Sequence, residues 1–539
     1  MRRTYFLDGC GRSMSEAPVL KDTTRSSGRE ALQKNIKAAM ALAGAIRSTL
    51  GPKGLDKLLI DDDGRTLVTN DGVTVLETAK VEHPVAKMMI NASSTQDRIA
   101  KDGTTSTVII AGELLQNAWQ LVLQGIHPAT VARGFRKSEQ YVLNCLSDIE
   151  IQSTDDTKYN VVKTSLAGKG HNAMQEVVAK TALKAAEMVV DSEGSIDISK
   201  IKLLSQTGGK IEDCRVFRGL MLPKKRISSN MKKEISDGKI LLVDGGLEKK
   251  NVSTDLKLNI TSVGVLDSFR EKELTLLREQ VDKMVQMGVE VLACRESIDD
   301  NIKDYLSQNG IQAFRRVAQD DLNMLVKTCN ARLVKSITAS EINDLGSFTS
   351  SKNLTIDGKD FWIVEGGGLA ATIVAKGSTV DVVNEVERCF DDALGVSVQL
   401  LQAGGIVCGG GAGYVALARR LRRYAETIPG REQLAVEAYA DALEVIIRVL
   451  AENAGIDPIT TLLDVVAEQT NSNSDRYGID LISNEPMDMF SLGVLEPVGI
   501  IKQALVGATE VAISILRIDD VLWAKQDMEM SNIQDDEMS

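Results

Sequence analysis

Asp102-Gly103-Thr104-Thr105-Ser106-Thr107 opens a long, mostly apolar stretch that runs to about Gln124. The stretch reads as a helix and the hydroxyl-rich hexapeptide as its start. Four hydroxyls and the free N–H groups of a first turn suit an anion. The carboxylate just before them suits the Mg²⁺ that accompanies a nucleotide. Plain N-capping by Thr or Asp accounts for the same residues. The stretch alone does not choose between the two.

Upstream, Leu32, Ile36, Met40 and Ala43 recur at helical spacing between Arg29 and Leu50, and Gly51-Pro52 stops that helix. Thr49-Leu50-Gly51-Pro52-Lys53-Gly54 is a Gly-rich loop without the G-x-x-x-x-G-K-[ST] pattern, so a P-loop fold is not supported. Lys57–Ile60 and Thr66–Thr69 read as a hairpin around Asp61-Asp62-Asp63-Gly64. Asn70-Asp71-Gly72 follows, where a catalytic carboxylate and a tight turn fit equally well. With helices predicted over Ala86–Ala92 and Ala129–Ile149, the first 150 residues are mainly helical.

The middle has a different texture. Ile240–Val243, Val291–Ala293, Ala313–Val317, Leu354–Ile356 and Ala371–Val374 are short and strand-like, separated by helical stretches such as Glu271–Met287. Helices return at Glu385–Gln402, Tyr414–Glu426, Arg431–Asn453 and Ala504–Ile518. Helical ends around a mixed middle imply one domain built from both termini, with others inserted. Residues 1–17 read as a loose extension and Asp527–Ser539 as a disordered acidic tail.

The chain has 539 residues, with 63 Lys+Arg against 75 Asp+Glu, a net charge of −12. That balance argues against nucleic acid or an anionic membrane as the main partner. Three His and no CxxC pair make a structural zinc site improbable, and seven scattered Cys suit free thiols in a reducing cytoplasm. No apolar segment follows Arg2 and Arg3, so no secretory signal is expected. The longest uncharged run, Ala393–Ala418, carries seven glycines and reads as helix, Gly-rich turn, then helix rather than a membrane span.

In this order the motifs become specific. Thr49–Gly54, Asn70-Asp71-Gly72, Asp102–Ser106, Asp392-Ala393-Leu394 and Gly409-Gly410-Gly411-Ala412 resemble the nucleotide-site signature of the chaperonins. Val81-Glu82-His83-Pro84, Gly168-Lys169-Gly170, Pro429-Gly430-Arg431-Glu432, Glu452-Asn453-Ala454-Gly455 and Arg517-Ile518-Asp519-Asp520 are similar to the group II branch, which includes the archaeal thermosome. The resemblance spans roughly Pro18 to Lys525. It implies a multidomain α and α/β chaperonin fold: a helical equatorial domain (1–152 and 404–539), an intermediate hinge domain (153–211 and 371–403) and an α/β apical domain (212–370). A helical lid protrusion is expected at about 259–281, with Val263, Leu266 and Phe269 supplying apolar contacts.

The resemblance also implies roles. Asp102 would hold Mg²⁺, with Gly103, Thr104, Thr105 and Ser106 on the phosphates of ATP and Thr49, Leu50, Gly51 and Pro52 facing them. Asp71 and Asp392 would position and activate the attacking water, and Lys169 would sense the γ-phosphate. Gly411 and Glu496 would contact adenosine. The implied activity is ATP hydrolysis coupled to folding of non-native client proteins. It would take place in the cytoplasm, inside a double ring of this chain or paralogous subunits. The alternative is a structural ring subunit with weak or no ATPase activity. One departure bears on that choice: Lys101 stands where the family has glycine. If that position needs φ > 0, a side chain costs about 1–2 kcal/mol. An ammonium ~6 Å from triphosphate gains about 3 kcal/mol before desolvation. On these grounds ATP binding survives, hydrolysis is slow, and Lys101→Gly speeds it.

Overall fold

The computed structural model describes residues 23–524 apart from 61–63, 65, 80, 82, 192, 249–262 and 357. The N-terminal extension, the acidic tail, most of the hairpin turn and the first residues of the expected protrusion lie outside the described residues, as do the side chains of Val263, Leu266 and Phe269.

The helices, in chain order, are α1 Gly28–Arg47, α2 Gly72–Thr78, α3 Pro84–Ala100, α4 Thr104–Leu123, α5 Pro128–Ile149, α6 Asp155–Ser165, α7 Asn172–Met188, α8 Val263–Met287, α9 Lys303–Gln308, α10 Gln319–Cys329, α11 Val380–Ala403, α12 Ala412–Ala425, α13 Glu432–Leu443, α14 Val445–Ala454, α15 Pro458–Asn471, α16 Met489–Leu492 and α17 Val498–Leu516. Local chemistry starts several of them. Each of the three histidines is an N-cap, His83 and His127 ahead of a proline at N1, and each accepts from a backbone N–H in the first turn.

Residues from both ends of the chain share the largest core, in which Leu32, Ile36, Leu114, Phe135, Tyr439, Ile447 and Leu505 are buried together. α17 is apolar and long enough to cross a membrane by length and composition, yet it packs against α3, α4 and α5. A second core joins α6, α7 and α11 to a sheet in which Ala371–Gly377 lies between Ile201–Thr207 and Arg215–Arg218. A third region is a mixed seven-stranded sheet with a core on each face. At its centre Glu234–Val243 pairs in parallel with Val291–Cys294 and antiparallel with Gly346–Ile356. Phe314 stacks on Trp362 at 3.8 Å between ring centroids. The indole Nε1 donates to Ser351 Oγ at 2.9 Å, so this apolar layer leaves no unpaired indole N–H.

Several sequence expectations change. The run Ala393–Ala418 holds a strand, Gly405–Cys408, between Gly404 (φ 69°) at the end of α11 and the 409–411 turn. Its partners, Ile151–Gln152 and Leu495–Pro497, are remote in sequence, and no local pattern announces them. Arg431–Asn453 is two helices: Glu444 (ψ −8°) interrupts them, its buried carboxylate turned to Arg422. The strand expected over Ala313–Val317 ends at Phe314, because Arg316 takes φ 56°. Helices α6, α7, α10 and α15 are not among the helices expected from the sequence.

Candidate functional site

α4 begins on an unusual turn. Lys101 (φ 56°) and Gly103 (φ 77°) are both left-handed, reversing the chain between α3 and α4 with Asp102 at the apex. Gly103 offers no side chain, so the first turn of this 20-residue helix has no side-chain cap. Its N–H groups and the positive end of the helix dipole face outward uncompensated. A Cβ on Gly103 would fall 2.8 Å from Ile500 Cγ2, a second reason for glycine here. Asp102 is fixed from both sides. Its Oδ1 accepts from Gly103 N at 2.8 Å, and Gln96 Nε2 donates to its carbonyl at 2.8 Å and to Ile500 O at 3.3 Å.

The other motifs arrive at this helix end. Asp71 caps α2, accepting from Thr74 N at 2.9 Å and Thr74 Oγ1 at 2.6 Å, so the tight-turn reading of Asn70-Asp71-Gly72 is satisfied. The turn also abuts α4, since a Cβ on Gly72 would lie 2.6 Å from Thr105 Oγ1. Asn70 Nδ2 donates to Gly168 O at 2.9 Å. A Cβ on Gly168 (φ 89°) would lie 2.8 Å from Gly51 O, so the 168–170 turn rests on the 49–54 loop. That loop is held from α14. Asn453 Nδ2 donates to Leu50 O at 2.8 Å and Arg47 O at 3.1 Å, while Arg47 and Glu452 form a two-pronged ion pair.

α11 brings Asp392 to the same place. Lys169 Nζ lies 2.6 Å from Asp392 Oδ2, with the two side chains only 18% and 20% exposed. Burial pushes Asp392 up to about 6; Lys169 opposes the rise, and the charges of Asp102 and Asp71 add to it. Burial likewise raises Asp102, against the pull of Lys169. Glu496 is pushed up to about 7 by burial and by the charge of Asp102. Its Oε1 lies 3.0 Å from where Gly409 would carry a Cβ, so it lines the 409–411 turn. Gly411 is left-handed (φ 79°), and a Cβ there would strike Ile447 at 2.8 Å; packing within the protein demands this glycine whatever the turn binds.

The site is thus an uncapped helix end at which the charge of Asp71 raises Asp102, Asp102 and Asp71 raise Asp392, and Asp102 raises Glu496, an arrangement that a cation relieves. Among the described residues no three His, Cys, Asp or Glu are spaced to enclose a metal by themselves. The chemistry of these side chains fits a divalent cation such as Mg²⁺, for which Asp102 would be the carboxylate ligand.

Four residues make contacts that the motifs do not assign to them. Gln96 and Asn453 pin the two loops, Asn70 bridges them, and Asp391 takes Lys101. Lys101 Nζ lies 2.8 Å from Asp391 Oδ2 and 3.6 Å from Asp97 Oδ2. Burial works against its charge, yet the hydrogen bond and charge of Asp391, with help from Asp97, leave the ammonium raised. The cation expected near triphosphate is therefore drawn to α11 instead. Asp391 is 290 positions away in sequence, and only its adjacency to Asp392 could have flagged it.

Comparison with known proteins covers almost the whole chain. Residues 42–526 match the TCP-1/cpn60 chaperonin family. The chain is 41% identical over 520 residues to a thermosome subunit of Pyrococcus horikoshii, covering 94% of each chain. It is 40% identical over 524 residues to a thermosome subunit of Methanocaldococcus jannaschii, covering 95% of this chain and 96% of that one. Against the thermosome alpha subunit of Halobacterium salinarum the identity is 39% over 534 residues, covering 98% and 94%.

Proposed function

Because the chain belongs to the TCP-1/cpn60 chaperonin family, we propose that the meeting point of α4, the 49–54 loop, the 168–170 turn and α11 is where it binds and hydrolyses ATP. The protein is a group II chaperonin subunit, an ATPase coupled to protein folding. One observation carries the site: motifs more than 300 residues apart converge on the one uncapped end of α4.

The phosphates bind the N–H groups of α4's first turn with the hydroxyls of Thr104, Thr105 and Ser106, against the backbone of Thr49, Leu50, Gly51 and Pro52. Asp102 holds Mg²⁺, which supplies charge neutralisation on the phosphate oxygens when bound. Asp392 accepts the proton of the attacking water, and a carboxylate raised to about 6 is a far better base near neutral pH than an ordinary one. Asp71, locked by Thr74, orients that water. Lys169 holds Asp392 and, when the γ-phosphate competes for it, reports nucleotide to the 168–170 turn. Glu496 accepts from ribose hydroxyls beside Gly411.

The first core and the two cores of the seven-stranded sheet support a division into an equatorial domain (1–152 and 404–539), an intermediate domain (153–211 and 371–403) and an apical domain (212–370) with its lid at about 259–281, while the second core also takes in Ala100, Ala412, Leu495 and Ile500 from the equatorial side. On this division Asp102 and Asp392 sit in different domains, so chemistry waits on closure. Subunits form a double ring with copies of themselves or paralogous chains and enclose non-native proteins in the cytoplasm. An unproductive structural subunit is not favoured, given the family and the thermosome subunits that the chain resembles over nearly its whole length. The test is refolding of a chemically unfolded client by the purified protein, with and without ATP and Mg²⁺. ATP-dependent recovery is expected, and recovery that ignores ATP would overturn the reading.

A further inference from the structure

Lys101 and Gly395 interlock. Lys101 occupies the left-handed end of α3, a conformation that residues with a side chain adopt reluctantly. Its stem then crosses α11: a Cβ on Gly395 would fall 2.2 Å from Lys101 Cβ and 2.3 Å from its Cγ, and the third nearest atom is Lys101 Cδ. The lysine stem is what demands glycine at 395. Past it, the ammonium reaches Asp391 at 2.8 Å. In the other direction along α11, Gln399 Nε2 donates to Ile99 O at 2.9 Å. Asp391, Gly395 and Gln399 stand at i, i+4 and i+8, so residues 99–101 engage one stripe of α11, whose Gln399 Oε1 also faces Gly499. Asp392 is rotated by about 100° from Asp391 on the helix and meets Lys169 instead.

We propose that Lys101 is a positioning residue for ATP hydrolysis, clasping the Asp391–Gly395–Gln399 stripe of α11 and so holding Asp392 over the phosphate end of the site. This rests on the reading of Asp392 as the base and of α4 as the phosphate site. Lys101 touches neither phosphate nor water; it acts through α11. Because it immediately precedes Asp102, the clasp joins the proposed metal ligand to the proposed base. Moving α11 away from α4 must break the Lys101–Asp391 pair and lift the stem off Gly395. Backbone strain alone makes Lys101→Gly faster; the clasp makes it slower.

Four assembled proteins decide the matter: wild type, Lys101→Gly, Gly395→Ala and the double variant, compared by steady-state ATPase in Mg²⁺. Each single change should lower kcat about threefold to tenfold while KM for ATP stays within about twofold. The double variant should be no slower than Lys101→Gly, because the added methyl then meets no stem. Lys101→Arg, which keeps stem and charge, should retain most of the rate. Hydrogen exchange without nucleotide gives a readout independent of activity: amides within 380–403 should exchange faster in Lys101→Met and Asp391→Asn than in wild type. Equal or faster turnover in Lys101→Gly, Gly395→Ala damage that is the same in both backgrounds, or unchanged exchange would overturn the clasp. A wild-type protein that hydrolyses no ATP would instead sink the site reading, and exchange would then judge the clasp by itself.

Discussion

Asp392 is surrounded so that it gains protons more readily than an ordinary aspartate. Burial lifts it to about 6, and Lys169 only partly restrains the rise. A base must be ionised to act, so acidification through pH 6 should switch it off. The kcat profile should level off above about pH 7 and fall about tenfold per unit below the folded value of about 6. A profile level down to pH 5 would show that Asp392 is not titrating in the rate-limiting step. Asp392→Ala should keep ATP binding and lower turnover by about 10²-fold or more, read by nucleotide titration beside single-turnover hydrolysis. Wild-type turnover in that variant would move the role to another group. At this scale the sequence is most informative where a residue type answers a backbone need. Gly51, Gly103, Gly168 and Gly411 all take positive φ, and such requirements survive in a bare sequence. The partners of Lys101, Asn70 and Gln96 are a different matter, because they depend on which surfaces meet.

Elements position what residues cannot. α14 holds the 49–54 loop through Asn453, whose amide serves two carbonyls at the end of α1. Removing it leaves the Leu50 and Arg47 carbonyls without that donor and costs about 1–3 kcal/mol at one to two net hydrogen bonds. Asn453→Ala should therefore lower the thermal midpoint by a few degrees and weaken ATP binding, measured by calorimetry; unchanged affinity would mean the loop holds its shape without α14. The strand Gly405–Cys408 shows why some elements stay hidden. Its glycines and short apolar run look like a turn between helices, and only the distant strands at 151 and 495 make it a strand. Most of the long amphipathic helices, by contrast, are plain from their spacing, but α3 runs well past the expected Ala92, Arg431–Asn453 breaks at Glu444, and α7 and α15 are not predicted.

Across the whole molecule, the chain leaves the first core after α5 and returns to it at Val407, with most of the second core and all of the seven-stranded sheet in between. α11 links the second core to the proposed ATP site, carrying Lys169's partner Asp392 on one face and Lys101's partner Asp391 on another. On the proposed reading, events at phosphate are passed through α11 to everything beyond it. Replacing Thr261–Glu273 with a short Gly/Ser linker should leave ring assembly and ATP turnover intact, since neither depends on that segment, while abolishing enclosure of a client. Loss of ATPase in that variant would contradict the separation of lid and site. The most direct measurement is protease protection of a chemically unfolded client bound to the assembled protein. Wild type should turn the client resistant on addition of ATP and Mg²⁺, and Asp392→Ala should not. A client digested equally fast with and without ATP would contradict the claim that this chain closes around proteins by hydrolysing ATP.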